Sequence, residues 1–200
     1  AEGDFEGAVF QDTDVAKWLE AVAYSLAVEP DEHLSYLADK TINLIGRAQC
    51  EDGYLNTYFT IKDPSKRWTN LKEGHELYTA GHMTEAAVAY YKATGKTEFL
   101  DIMKKFADLI CRTFGPEEGQ NHGYPGHQEI ELALIRLYHV TGNKKYLETA
   151  KYFIDRRGVG ENYFLEEEKK PEYKQIFPEF AEYDPDRKST RLNSSHTIGS

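Results

Sequence analysis

Apolar residues recur at three- and four-residue intervals in six stretches of this chain, the spacing that lines one face of a helix. The pattern predicts helices over residues 14–27, 31–50, 74–93, 97–114, 127–140 and 144–157. Alternation of the strand type reaches a useful length only at residues 54–61. Two turns carry the same stop-and-restart signal, Ala93-Thr-Gly-Lys and Val140-Thr-Gly-Asn, with glycine just past a helix end. The prediction is an all-α chain of about three helical hairpins.

An internal repeat supports the hairpins. Tyr91, Gly95, Phe99, Leu100, Lys104, Phe106 and Asp108 recur as Tyr138, Gly142, Tyr146, Leu147, Lys151, Phe153 and Asp155, each pair 47 residues apart. A period of that size built of two helices is the mark of an α-hairpin array. The turns inside hairpins are minimal, near Pro30, Gly95 and Gly142, whereas the connections between hairpins are long: 51–73, 115–126 and everything after Gly158. About 4–6 residues suffice to join two elements, so long loops in a compact domain usually serve function. In an up-down array the two kinds of connection fall at opposite ends, and all the long loops share one face.

That face carries the candidate chemistry. His75 and His127 each follow a glycine and an aromatic-bearing loop, and each is predicted to open a helix. A helix start gathers unpaired N–H groups and partial positive charge, which disfavours imidazolium. Neutral imidazole both donates and accepts hydrogen bonds, as a neutral polyhydroxylated ligand requires. The loops add Tyr54, Tyr58, Phe59, Trp68 and Tyr124 beside Asp52, Asn56 and Asn70, which serve either as sugar platforms and partners or as staples of loop to helix. Tyr78 and His82 share a helix face with His75. The histidines at 75 and 82 are seven apart, not four, so the zinc-protease pattern is not met and His82 reads first as a core histidine. Glu129 is a further candidate, whereas Glu131 is accounted for as a helix-dipole partner. Asp12 or Asp14 reads as an N-cap, Trp18 as a core anchor, His33, His122 and His139 as surface residues, and Glu166–Lys170 as a solvated charge run. No metal-ligand cluster, nucleophile with its activator, or phosphate-cradling loop is found.

The formal charge of −10 is the opposite of a nucleic-acid binder's and fits a neutral ligand. No apolar run is long enough to span a bilayer. The two cysteines, Cys50 and Cys111, form neither a disulfide framework nor a zinc spacing. The chain opens on Ala1 with no signal-peptide pattern, so its true N-terminus is expected to be missing and its cellular address is not readable. Asp186-Arg-Lys-Ser-Thr-Arg-Leu-Asn-Ser-Ser-His196 is what a sequencing adapter yields in one reading frame. Residues 186–200 are therefore expected to be a non-native tail on a chain cut short, with 1–185 the native part.

Four motifs in order, Asp12-Thr-Asp-Val-Ala-Lys-Trp-Leu-Glu-Ala21, Asp52-Gly-Tyr-Leu-Asn-Thr-Tyr-Phe-Thr60, His75-Glu-Leu-Tyr-Thr-Ala-Gly-His82 and Gly123-Tyr-Pro-Gly-His-Gln-Glu-Ile-Glu-Leu-Ala133, resemble glycoside hydrolase family 127. The resemblance covers residues 10–184, essentially the whole native part. It implies an (α/α)6 toroid of six hairpins, of which this chain supplies three, the N-terminal half of a catalytic domain with an unpartnered edge prone to self-association. It implies hydrolysis, with retention, of non-reducing-end β-L-arabinofuranosyl residues of plant glycans, the imidazoles of His75 and His127 contacting the sugar. It implies a nucleophilic cysteine held on zinc and a glutamate acid/base, neither of which any residue here matches, so the fragment is expected to hold no cofactor and to be inactive alone. Gln128 stands where the family often has glutamate. Two other readings stay open: another (α/α)6 carbohydrate enzyme, such as an unsaturated uronyl hydrolase or a sugar epimerase, and a non-enzymatic helical-repeat scaffold.

Overall fold

The computed structural model describes residues 4–177. Six long helices, α1 (Asp12–Val28), α2 (Glu32–Ala48), α4 (Glu76–Thr94), α5 (Glu98–Thr113), α6 (Ile130–Thr141) and α7 (Lys144–Arg156), form three hairpins. Short helices α3 (Thr57–Lys62) and α8 (Tyr163–Glu167) and a 3-10 turn at Pro64–Lys66 lie in the long connections. The segment with strand-like alternation is thus α3, started by Asn56, whose side chain accepts from the Phe59 N–H. Among the described residues there is no strand, only an isolated bridge between Phe114 and Asn121. No described helix is long and apolar enough to cross a membrane.

The hairpins stack in two layers. The first helix of each packs against the next, α1 on α4 and α4 on α6, while the second helices α2, α5 and α7 form a looser outer row. Small residues let the inner row close up: Ala16 and Ala23 on α1, Ala80, Gly81 and Ala87 on α4, and Ala133 on α6 are all fully buried. α4 lies between α1, α5 and α6, so it is buried round most of its circumference. The repeat is visible at the turns. Gly95 and Gly142 both take the left-handed conformation and donate their N–H to Tyr91 and Tyr138, four residues back. Thr94 and Thr141 each donate a hydroxyl to the preceding turn of helix.

Two expectations about α1 are corrected. Neither Asp12 nor Asp14 caps it. Gln11 takes that position, and Asp12 instead accepts both the N–H and the hydroxyl of Thr57, tying the 51–73 connection to α1. Trp18 is 38% exposed on the side of α1 away from α4, with Tyr24 (53%) and Val28 (89%) along the same helix. It is not a core anchor within these residues, because no described element packs over that face. The tail at 186–200 lies outside the described residues.

Phe106 on α5 is fully buried, its ring 5.5 Å from Tyr54 and 6.2 Å from Trp68, so it carries the long 51–73 connection on the outer row. Phe106→Ala is expected to cost about 3–5 kcal/mol of stability. Chemical denaturation of the 200-residue chain checks this, and proteolysis should cut first within 51–73.

Candidate functional site

The N-terminal ends of α1, α4 and α6 meet at the end of the array that holds the long connections. His75 sits 5.0 Å, ring to ring, from Phe10 at the start of α1 and 4.6 Å from His127 ahead of α6. Both imidazoles line one small cleft with Tyr78, Pro125 and Gly126. The two histidines singled out in the sequence therefore converge, although only His75 opens a helix. α6 begins at Ile130, and His127 lies in the bend before it, exposed.

The backbone explains the convergence. His75 caps α4 in the left-handed conformation, φ 56°, which costs a non-glycine residue on the order of 1–3 kcal/mol. Its Nδ1 bonds the Glu73 carbonyl. A carbonyl oxygen only accepts, so Nδ1 carries the proton and Nε2 is left as an acceptor. Burial holds the His75 imidazole below the ordinary histidine pKa, with His127 adding to the effect against the opposing Glu73 carbonyl. The ring is thus neutral at pH 7. On the other side, Gly126 donates its N–H to Leu71 O at 2.9 Å, and a Cβ there would sit 2.3 Å from Lys72 O. Only glycine lets the loop bearing His127 cross the one preceding His75.

Tyr78 stands between the imidazoles, its ring centroid 5.6 Å from His75, 5.4 Å from His127 and 4.5 Å from His82. His82 is half-buried one turn below. Its Nδ1 lies 3.2 Å from Glu129 Oε1, which joins α4 to the start of α6. Burial also lowers the pKa of His82, with Glu129 opposing.

Asp52, Tyr54 and Asn56 go elsewhere. Tyr54 is fully buried, and its hydroxyl donates to Glu76 Oε1 at 2.5 Å while Arg67 lies over its ring at 3.8 Å. Asp52 accepts the Tyr54 N–H and pairs with Arg67, and Asn56 caps α3. All three shape the 51–73 connection and do not line the cleft. Trp68 and Tyr124 likewise serve as staples, against Phe114 and Phe164 respectively.

Four buried carboxyls escaped the sequence reading, one of them Glu85 on α4, which pairs with Arg136. Glu76 accepts from Tyr54 and from the Trp68 N–H at 2.8 Å, and burial pushes its pKa to about 8. Glu167, inside the run read as solvated, is 1% exposed and accepts the N–H groups of Leu71 and Lys72. Burial raises it to about 7. Glu131, read as a dipole partner, is buried 3.6 Å from Arg157. That guanidinium also donates to Pro125 O and lies over Tyr124. His33, His122 and His139 are exposed, as expected.

A groove of about 1070 Å³ lies between α5 and α7 in the outer row, away from the histidines. Its walls mix Arg112, Lys145 and Lys151 with Asp108 and Asp155, the pattern of a solvated helix crossing rather than of a ligand site.

These shifts set the pH dependence of stability. Glu76 and Glu85, both raised to about 8, and Glu167 hold protons in the folded state that the unfolded chain has released above about pH 4.5. Their contribution is lost as pH rises towards 8. His75 and His82 act oppositely, since the unfolded chain takes up protons below about pH 6.5 that the folded state refuses. From about pH 6.5 to 8 the carboxyls act alone. The melting temperature is expected to fall over that range, and a rise would contradict the assignment.

The family model for the beta-L-arabinofuranosidase GH127 catalytic domain matches residues 1–197, which includes residues 186–197 of the tail set aside above. The chain is 46% identical over 188 residues to the non-reducing end beta-L-arabinofuranosidase of Bifidobacterium longum subsp. longum, covering 92% of this chain and 29% of that protein. The crystal structure of Ara127N-Se, a GH127 beta-L-arabinofuranosidase from Geobacillus stearothermophilus T6, is similar with a TM-score of 0.85 at 60% identity. That match covers 89% of this chain and 28% of the other. The GH127 beta-arabinofuranosidase BT3674 matches with a TM-score of 0.76 at 44% identity, over 80% and 27% respectively. The chain thus spans less than a third of the length of each. With the histidine cleft in place and these matches along nearly its whole length, the chain belongs to glycoside hydrolase family 127.

Proposed function

We propose that this chain is the sugar-recognising segment of a longer hydrolase that releases non-reducing-end β-L-arabinofuranosyl residues from plant glycans with retention. The observation that carries the reading is the pair of imidazoles 4.6 Å apart in one cleft, with His75 presenting Nε2 as an acceptor. A neutral acceptor of that kind suits a sugar hydroxyl, and Tyr78 offers an aromatic wall beside it. Membership of the family, and likeness to relatives named for this activity, support the substrate class.

The zinc–thiolate centre implied by the resemblance does not fit the residues described. Cys50 Sγ is taken by Arg67 Nη2 at 3.2 Å, and Cys111 faces the groove of the outer row. Among the described residues the one gathering of three side chains able to ligate a metal is His82, Glu85 and Glu129, with no cysteine. We assign the zinc, the nucleophile and the acid/base to the part of the relatives' length that this chain does not cover, and hold the chain inactive alone. The exposed apolar residues at either edge, Trp18 and Leu44 on one side and Leu132 and Ile154 on the other, would drive self-association of the isolated chain.

The test is an assay of L-arabinose release from a β-L-arabinofuranosyl glycoside by a full-length protein carrying this segment, and by the 200-residue chain. The full-length protein should be active and the chain inactive. His75→Ala and His127→Ala should each lower kcat/KM by about tenfold or more, one lost hydrogen bond to the sugar in a desolvated site. Unchanged kcat/KM in both variants would overturn the assignment.

A further inference from the structure

His127 has no helix to hold it. It lies in a bend between a loop that Gly126 keeps thin and a helix that starts three residues later, yet it sits ring against ring with His75. Something must fix that bend on α4. The residue that crosses over is Glu129. It occupies the N-cap position of α6, but its side chain makes no capping bond. Instead it reaches α4, where its Oε1 lies 3.2 Å from His82 Nδ1.

The crossing is built into the backbone on both sides. Beneath Glu129, α4 carries Gly81, where a Cβ would stand 2.6 Å from Glu129 Cγ and 3.0 Å from its carbonyl carbon. Any other residue there would push the start of α6 off α4. His82 in turn abuts Tyr78, ring centroids 4.5 Å apart and nearly perpendicular, and Tyr78 touches both imidazoles of the cleft. Glu129 and His82 do not line the cleft themselves. They lie under it.

We propose that Glu129 is a positioning residue: through its contact with His82 it docks the 126–129 bend onto α4 and so sets the spacing of His127 and His75. The role is relevant to sugar recognition only if the function proposed above holds, but the geometry stands without it. His82, Glu85 and Glu129 present ligand atoms within 4.8 Å of one another, a set that by composition could take a divalent cation. Arg136 already supplies positive charge there, its Nη1 2.9 Å from Glu85 Oε1 and 3.4 Å from Glu20 Oε1, and Lys17 bears on His82 from α1. The set therefore reads as a polar network between α1, α4 and α6, with Glu129 as its tether to the bend.

The test reads individual histidines in the 200-residue chain at micromolar concentration. Diethyl pyrocarbonate modifies neutral imidazole, and peptide mass spectrometry across pH gives each histidine a rate and a midpoint. Glu129→Ala should speed modification of His75 and His127 several-fold. It should also move the His75 midpoint upward, since His127 no longer bears on it. Glu129→Gln, which keeps an oxygen within reach of His82, should restore wild-type behaviour. His82→Asn should mimic Glu129→Ala from the other side, so the proposal stays testable if one variant fails to fold. Glu131→Ala, which removes the neighbouring first-turn carboxyl paired with Arg157, is expected to leave the His75 midpoint in place. Wild-type rates and midpoint in both Glu129→Ala and His82→Asn, or an equal shift in Glu131→Ala, would overturn the proposal. Failure of the arabinose assay would leave these outcomes untouched, so the two claims fail separately.

Discussion

How closely the inner helices approach at their N-terminal ends governs everything else in this chain. Ridges of ordinary side chains hold helices 8–10 Å apart. The row α1–α4–α6 is lined instead with alanine and glycine at its contacts, and at two points the separation falls to backbone contact. At Gly81 the start of α6 lies directly on α4, and at Gly126 the loop bearing His127 crosses the carbonyls of Leu71 and Lys72. A methyl group at either place would have to displace main chain, which cannot swing aside as the end of a long side chain can. The strained φ of His75 belongs to the same arrangement. Its cost is tolerated because the Glu73 carbonyl fixes the ring and the helix that follows fixes the backbone.

Close packing of helices leaves the long connections with a different difficulty. A segment such as 51–73 has almost no ladder to satisfy its N–H groups, and buried donors without partners are costly. Carboxyls reaching out of helices supply the acceptors. Glu76 takes the Trp68 N–H and Glu167 takes those of Leu71 and Lys72, while Arg157, held by Glu131, caps the Pro125 carbonyl. Burial raises the pKa of all three carboxyls. These contacts tie the long connections to the helices beneath them.

The layout of this site was legible in the sequence, and its supports were not. Helical periodicity, the 47-residue repeat and the contrast of short and long turns all act over windows of a few dozen residues, and they put His75 and His127 at one end. The aromatic and amide residues of the Asp52–Thr60 motif looked equally suited to a sugar. Nothing local distinguishes a tyrosine that faces a ligand from one whose hydroxyl is spent on a glutamate 22 residues away. Glu167 shows the same limit, since it stands in a run of charges and only the arrival of residues 71 and 72, nearly a hundred positions earlier, buries it. Trp18 shows the converse. Its spacing on α1 is that of a packed face, and spacing reports that a face is apolar without saying which part of a protein covers it.

The electrostatics of the cleft argue for a division between recognition and reaction. Glycoside hydrolysis needs a group that can give a proton to the leaving oxygen. The imidazole of His75 is held neutral with its one proton committed to Glu73, so it can accept from a hydroxyl but has little to donate to a departing alkoxide. Glu76 borders the same cleft and, with a pKa near 8, has the protonation state of an acid. Both of its oxygens, however, are bound to the folded loop, one to the Tyr54 hydroxyl and one to the Trp68 amide. To turn towards a sugar it would have to release the loop that forms the cleft wall. Glu85, raised to a similar value, lies under the cleft beside Arg136 rather than in it. Each protonated carboxyl near the histidines is thus committed to structure. Under the function proposed above, what His75 would offer a sugar is a neutral, preorganised acceptor, and the proton would have to come from the part of the relatives' length that this chain does not cover.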